Sequence, residues 1–308
     1  MTDQPDTSEI STSQAVAGLF RLAAKVPANI APERLAQLGA LTTGPRWTLA
    51  MAGGAANFYA IVPDKKIALS SAGLAVLWNL AYVAFRIADV STRQRLQEQA
   101  ERKTESEPRE FHDLSSVAQA EQWSARLAYA AKWFSVDCPW PPEIPLPPAQ
   151  GKPAGEVGKV LELFLGALGW MIFHEIGHIA LSHEKIVPAT QRVSQEHDAD
   201  AFATEWILGD AGHGRDREFR VMAVCAAMAF LLLSQKVKGI GATHPPSIQR
   251  IRRTMKEFGV GDRSVGMESG ANFLKVMFDP ATIPPAVDGP QELFAWVMGR
   301  LAALFPSA

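Results

Sequence analysis

The sequence predicts an α+β fold that is mainly helical and carries one small sheet near its N-terminus. Three observations predict it. Helical spacing or unbroken apolar character recurs at residues 15–26, 67–85, 114–134, 156–183 and 221–233. Three short strand-like runs, separated by Gly and Pro turn signals, crowd into residues 46–71. The chain has 308 residues, 47% of them hydrophobic, enough for one large domain or two small ones. Lys+Arg 30 against Asp+Glu 32 gives a net charge of -2 and excludes the basic footprint of a nucleic-acid binder. The two cysteines, Cys138 and Cys225, are too few for a disulfide framework and fit a reducing compartment.

Residues 1–14 are polar and acidic, with neither a basic nor an apolar signal region, and read as a disordered leader. Residues 15–26 form a short helix that Pro27 and Pro32 interrupt. Residues 46–51 read as a strand followed by Gly53-Gly54, residues 57–62 as a second, and residues 66–71 as a third after the turn Pro63-Asp64-Lys65. Such short connections predict an antiparallel sheet, whose exposed edge can hold an extended peptide by main-chain hydrogen bonds. Residues 67–85 carry no charge and are long enough to span a membrane. Ser70, Ser71, Gly73, Asn79 and the strand-like opening favour a strand running into a buried helix. Residues 221–233 are too short to span comfortably and read as a core helix. The mixed charges of 91–110 predict a solvated helix face leading into a loop. The Pro-rich stretch 139–148 predicts a stiff connector. It divides a strand and helix subdomain (15–138) from a helical subdomain (154–308), with 139–153 between them. Both irregular stretches are candidate lids.

The chemistry gathers in three stretches. At the end of a helix over 156–183 stands His174-Glu175-Ile176-Gly177-His178. Histidines four apart share one helix face and can reach a single zinc ion, with Glu175 placed to deprotonate a water on it. His183 lies five residues past His178, about 140° round a 3.6-residue helix, which suits a cap or a donor behind a ligand better than a ligand. The second stretch is a helix over 194–209, with Ser194 as its cap and Gly209 at its end. Glu196 and Asp200 share a face there. Glu196 can be the third ligand, and Asp200 can accept the free ring N–H of a ligating histidine. His197 and Asp198 compete for the ligand role but point away from that face, and an acidic helix start is the plainer reading of the same residues. In the third stretch, Pro245 and Pro246 suit a first helical turn, with Thr243 or His244 capping. His244 at a helix start is a neutral donor that can stabilise an oxyanion, and Arg250 can pair with Glu196 or Asp200. Alone, the third stretch reads as a capping histidine and a surface arginine.

Taken in order, H-E-x-x-H, E-x-x-x-D and T-H-P-x-x-x-x-R resemble the gluzincin peptidases of the HtpX and CAAX-prenyl-protease type, whose E-x-x-A-D-x-x-A stretch matches Glu196, Ala199, Asp200 and Ala203. The chain is more similar still to the phage-exclusion peptidase family named after the Lit protein. That resemblance rests on H-E-I-x-H-x-x-L-x-H at 174–183, A-D-x-x-A-T-x-W-I-L-G at 199–209, T-H-P-x-x-x-x-R-I at 243–251 and a Trp-Pro-rich connector ahead of the metal helix. It implies a zincin-like metallopeptidase fold and a soluble, cytoplasmic zinc endopeptidase. His174, His178 and Glu196 would bind Zn2+ and Glu175 would be the base. It further implies anti-phage defence, with elongation factor Tu as candidate substrate and a phage peptide as candidate activator. Three other readings stay open. One is a membrane-associated peptidase of the HtpX sort. Another is a regulatory protein with a structural zinc, its sphere closed by His197 or His244. The third is a zinc hydrolase acting on a non-peptide substrate.

Overall fold

The computed structural model describes residues 10–41, 47–101, 114–136, 138–151, 153–183, 185–239, 244–257 and 263–305. Helix α1 (Thr12–Ala23) opens on a capping box, in which Ser11 and Gln14 each accept a hydrogen bond from the other's backbone N–H. The expected leader is therefore shorter at its C-terminal end, because Thr12, Ser13 and Gln14 form the first turn of α1; residues 1–9 lie outside the described residues. Helix α2 (Val26–Ile30) takes Pro27 into its first turn, where the missing N–H costs nothing. A 3₁₀ turn at Pro32–Arg34 leads into α3 (Leu35–Leu41).

The sheet is mixed, not purely antiparallel. Strands β1 (Thr48–Ala52), β2 (Phe58–Ile61) and β3 (Lys66–Ser70) lie in the order β1-β3-β2. The β2–β3 hairpin is antiparallel, while β1 pairs in parallel with β3 on its other side. The most apolar strand takes the centre: Ile67, Ala68 and Leu69 are buried, whereas β1 keeps residues at the surface. That choice is a matter of burial, which connection length does not encode.

From β3 the chain enters α4 (Ser71–Glu101) without a break. Ser70 caps it, its hydroxyl accepting from the Gly73 N–H at 2.9 Å. The first part of the charged run, residues 91–101, continues this helix, as expected of a solvated helix face; residues 102–110, where the loop was expected, lie outside the described residues. Helices α5 (Ser115–Ala120) and α6 (Trp123–Lys132) are split by Gln122 in the left-handed region. The Pro-rich stretch is irregular, with a hydrogen-bonded turn over Pro141–Ile144, and it is seated against the core rather than forming a loose lid. Trp140 is buried and donates to the Ile144 carbonyl, and Trp78 of α4 donates to the Pro145 carbonyl.

Helix α7 (Gly155–Ala180) runs through the centre, buried on all sides along its middle. Around it pack α2, α4, α8 (Ala189–Leu208) and α9 (Arg215–Lys238). Then come α10 (Ser247–Glu257), α11 (Val265–Phe278) and α12 (Pro290–Leu304), with α11 covering α4 and α9. Among the described residues three helices, α4, α7 and α9, are long and apolar enough to cross a membrane by length and composition, where the sequence offered the single candidate 67–85; the run 221–233, expected to be too short, is the middle of the 24-residue α9. Within the fold their most apolar windows are 78%, 89% and 61% buried, against one another and against α8 and α11.

Candidate metal centre

The last turns of α7 carry the first two side chains of the site. The helix is apolar up to Phe173, so His174 and Glu175 enter a packed interior and are 5% and 6% exposed. The helical repeat stacks His178 on His174, with their Nε2 atoms 3.1 Å apart. Glu196 of α8 faces both. Its Oε2 lies 3.5 Å from His174 Nε2 and its Oε1 3.6 Å from His178 Nε2. Among the described residues, His174, His178 and Glu196 form a group able to hold a metal ion, one ligand atom from each lying within 4.8 Å of the others. A tetrahedral ion bound at about 2.0–2.2 Å keeps its ligand atoms about 3.3–3.6 Å apart; the two distances to the Glu196 oxygens, 3.5 and 3.6 Å, lie in that range, and the histidine pair, at 3.1 Å, is slightly closer.

Close approach of α7 and α8 sets these distances. A Cβ added at Gly177 would stand 3.2 Å from Ala199 Cα and 3.3 Å from Phe202 Cβ. Helix α8 also starts earlier than the sequence suggests. It opens after Pro188, so Ser194 sits inside it and caps nothing. Glu196 is then about two turns in, away from the helix start whose dipole would favour an acidic residue. Gly209 does end the helix, in a right-handed conformation.

Behind the cluster stands a buried support. Asp200 Oδ1 lies 3.0 Å from His174 Nδ1, the ring atom opposite the site. Arg250 of α10 grips Asp200 with two bonds, Nε to Oδ2 at 2.7 Å and Nη2 to Oδ1 at 2.6 Å, and its Nη1 reaches 3.4 Å from Glu196 Oε2. Trp170, one turn before His174, stacks on the imidazole at 5.5 Å between centroids. Its indole N–H donates to Thr204, whose hydroxyl donates to the Asp200 carbonyl.

Burial and charge set the protonation preferences. Burial pushes Glu175 up to about 7, although the Ala60 backbone N–H and the charge of Arg250 oppose it. Burial disfavours a charged His174, but Asp200 and Glu196 outweigh it and bring that group up to about 10. Burial, then the charge of His174, holds His178 down to about 3. Burial would also raise Glu196, yet His174, Arg250 and His244 leave it well below the ordinary carboxylate range.

His244 approaches from outside. Its Nε2 is 3.5 Å from Glu196 Oε1, and its side chain is 59% exposed. The expected placement at a helix start does not hold: α10 begins at Ser247, with Pro246 O accepting its first bonds. Each proline bars the α conformation to the residue before it, so neither His244 nor Pro245 can enter the helix. Thr243 lies outside the described residues. His197 and Asp198 are not part of the metal-capable group.

Three further features border the cluster, and of these the sheet edge and a histidine behind a ligand agree with what the sequence suggests. Strand β2, an edge strand, packs against α7 beside the H-E-x-x-H motif, near enough for the Ala60 backbone N–H to favour the charged form of Glu175. Trp170 reads as core until its ring is seen on His174. His183 turns back onto His178, Nδ1 to Nδ1 at 2.8 Å. A chain that continued as a helix would carry it away.

Comparison with known proteins adds a family. The Peptidase U49 profile matches residues 67–270, from β3 into α11, and so includes every residue of the cluster and its support. The chain is 30% identical over 200 residues to the cell death peptidase of Escherichia coli (strain K12). That match covers 62% of this chain and 65% of the relative, just under two thirds of its length. No solved structure matches significantly. Because the profile spans well over half of the chain and encloses all three motif stretches, the protein belongs to the Peptidase U49 family.

Proposed function

We propose that this protein is a zinc-dependent endopeptidase. The observation that carries the reading is the convergence of His174, His178 and Glu196 beside Glu175, against the free edge of β2. Two imidazoles and a carboxylate are the donor set of a catalytic rather than a structural zinc, leaving a position open. Bound there, zinc would lower the pKa of a water towards about 7 and polarise a substrate carbonyl. Glu175, its own pKa raised by burial, is the group beside the metal position that would accept a proton from the nucleophile and return it to the leaving amine. His244, exposed on the solvent side of Glu196, donates to the oxyanion. The outward main-chain groups of β2 align an extended peptide, which favours a peptide substrate over other acyl compounds.

The same reading extends, on the family relationship, to a cytoplasmic role in anti-phage defence. Elongation factor Tu is the first candidate substrate and a phage peptide the candidate activator; the relative's name, cell death peptidase, supports an outcome lethal to the cell. Metal analysis should find about one zinc per chain, lost in the Glu196→Ala variant. Mapping of new protein N-termini in cells expressing the wild type beside Glu175→Gln should reveal cuts only with the wild type. Identical N-termini in both would overturn the peptidase reading, and cuts in other proteins with elongation factor Tu intact would overturn the substrate alone.

A further inference from the structure

One histidine next to the cluster has no role in the chemistry above. Helix α7 ends at Ala180, and the chain reverses through Leu181, Ser182 and His183. The Ser182 N–H donates to the Ile179 carbonyl at 3.2 Å and the His183 N–H to the His178 carbonyl at 2.9 Å. This is the bond pair of a Schellman turn, with Ser182 at φ +54° in the left-handed place that glycine usually takes. The turn brings a side chain back against the residue at the start of the helix's last turn. Here the two are His183 and His178, their Nδ1 atoms 2.8 Å apart and their rings edge to face.

A neutral imidazole carries one N–H, so His178 has two forms. In one, the proton sits on Nε2 and points at His174 Nε2, 3.1 Å away, blocking the atom that an ion would use. In the other, the proton sits on Nδ1 and is donated to His183, leaving the Nε2 lone pair towards His174 and Glu196. Two nitrogens at hydrogen-bond distance share one proton. His183 must then offer the lone pair of its Nδ1 and keep its own proton on Nε2. His174 is held otherwise, its Nδ1 facing the carboxylate of Asp200.

We propose that His183 is a positioning residue that selects the metal-ready tautomer of His178, so that the centre has one histidine backed by a carboxylate and one backed by a neutral imidazole. This rests on reading the cluster as a zinc site. Hydrogen bonds to an ionised acceptor are about twice as strong as neutral ones, so His178 is the more loosely held of the two histidine arms.

Zinc affinity, measured by competition with a chromophoric chelator, tests this in the full chain. His183→Leu keeps bulk without an acceptor; His183→Gln offers an amide oxygen to the same N–H. The leucine variant should lose about 10–100-fold in zinc affinity, while the glutamine variant stays within a few-fold of wild type. Unchanged affinity in the leucine variant, or equal loss in both, overturns the proposal. Nitrogen-15 NMR of the histidine rings in the zinc-loaded wild type gives an answer even where a variant fails to fold. The Nδ1 of His178 should be protonated and that of His183 bare, and the reverse overturns the proposal. A wild type that takes up no zinc overturns instead the zinc reading on which this inference rests.

Discussion

At the scale of single residues, the support behind His174 is the most demanding part of the site. Asp200 is buried, as is its partner Arg250, and burying charge is tolerated only where each group is matched. Asp200→Asn keeps the shape but gives up the charged acceptor behind His174. It should lower zinc affinity or turnover by about 10–100-fold, measured by metal competition and initial rates. His244 is a different case, since its side chain is largely exposed. His244→Ala should reduce kcat with little change in KM or zinc content, because an oxyanion contact forms only in the transition state. An unchanged kcat would assign the residue to the loop alone. The pairs His174/His178 and Glu196/Asp200 were legible in the sequence because each is a short, local, four-residue spacing on one helix. Trp170 was not, because its spacing to His174 looks like any core pair.

At the scale of elements, the approach of α7 to α8 holds the two motif helices in register. Gly177→Ala must push Ala199 or Phe202 aside by a few tenths of an ångström. The shift falls between Glu196 and the histidine pair, so the expected loss is in zinc affinity more than in helix content, which calorimetry and circular dichroism can separate. A second test concerns the clamp that joins α4 to the turn before α6. Arg86 holds Glu121 by side-chain hydrogen bonds, and these lower the carboxyl below its ordinary 4.5 despite partial burial. A depressed carboxylate adds stability that is complete above the unfolded value and is lost as pH falls through the folded one. The wild-type melting temperature should therefore drop below about pH 4.5 more steeply than that of Glu121→Gln. Most elements could be read from periodicity. What could not be read were features set by distant partners. The sequence does not say which neighbour β3 takes on each side. It does not say that α8 opens at Ala189, seven residues before its motif begins at Glu196. It also does not reveal that a left-handed Ser182 ends the α7 period and returns His183 to the site.

At the scale of the whole molecule, one hydrophobic core draws on helices from α1 to α12 and on the sheet. The site lies where α7, α8 and α10 meet, so its parts come from residues 174 to 250. Arg250 is the piece that closes it. Replacing it with Met in the full chain should leave the buried Asp200, and Glu196 beside it, without their guanidinium and cost about 3–5 kcal/mol of stability, read from denaturant unfolding.

That closure also has a consequence in time. A chain is made from its N-terminus, so His174, Glu175, His178 and Glu196 all leave the ribosome before Arg250 does. Until α10 follows and docks, Asp200 and Glu196 lack the guanidinium that pairs with both of them in the finished site. The last partner of the centre is therefore supplied only when most of the polypeptide is already made.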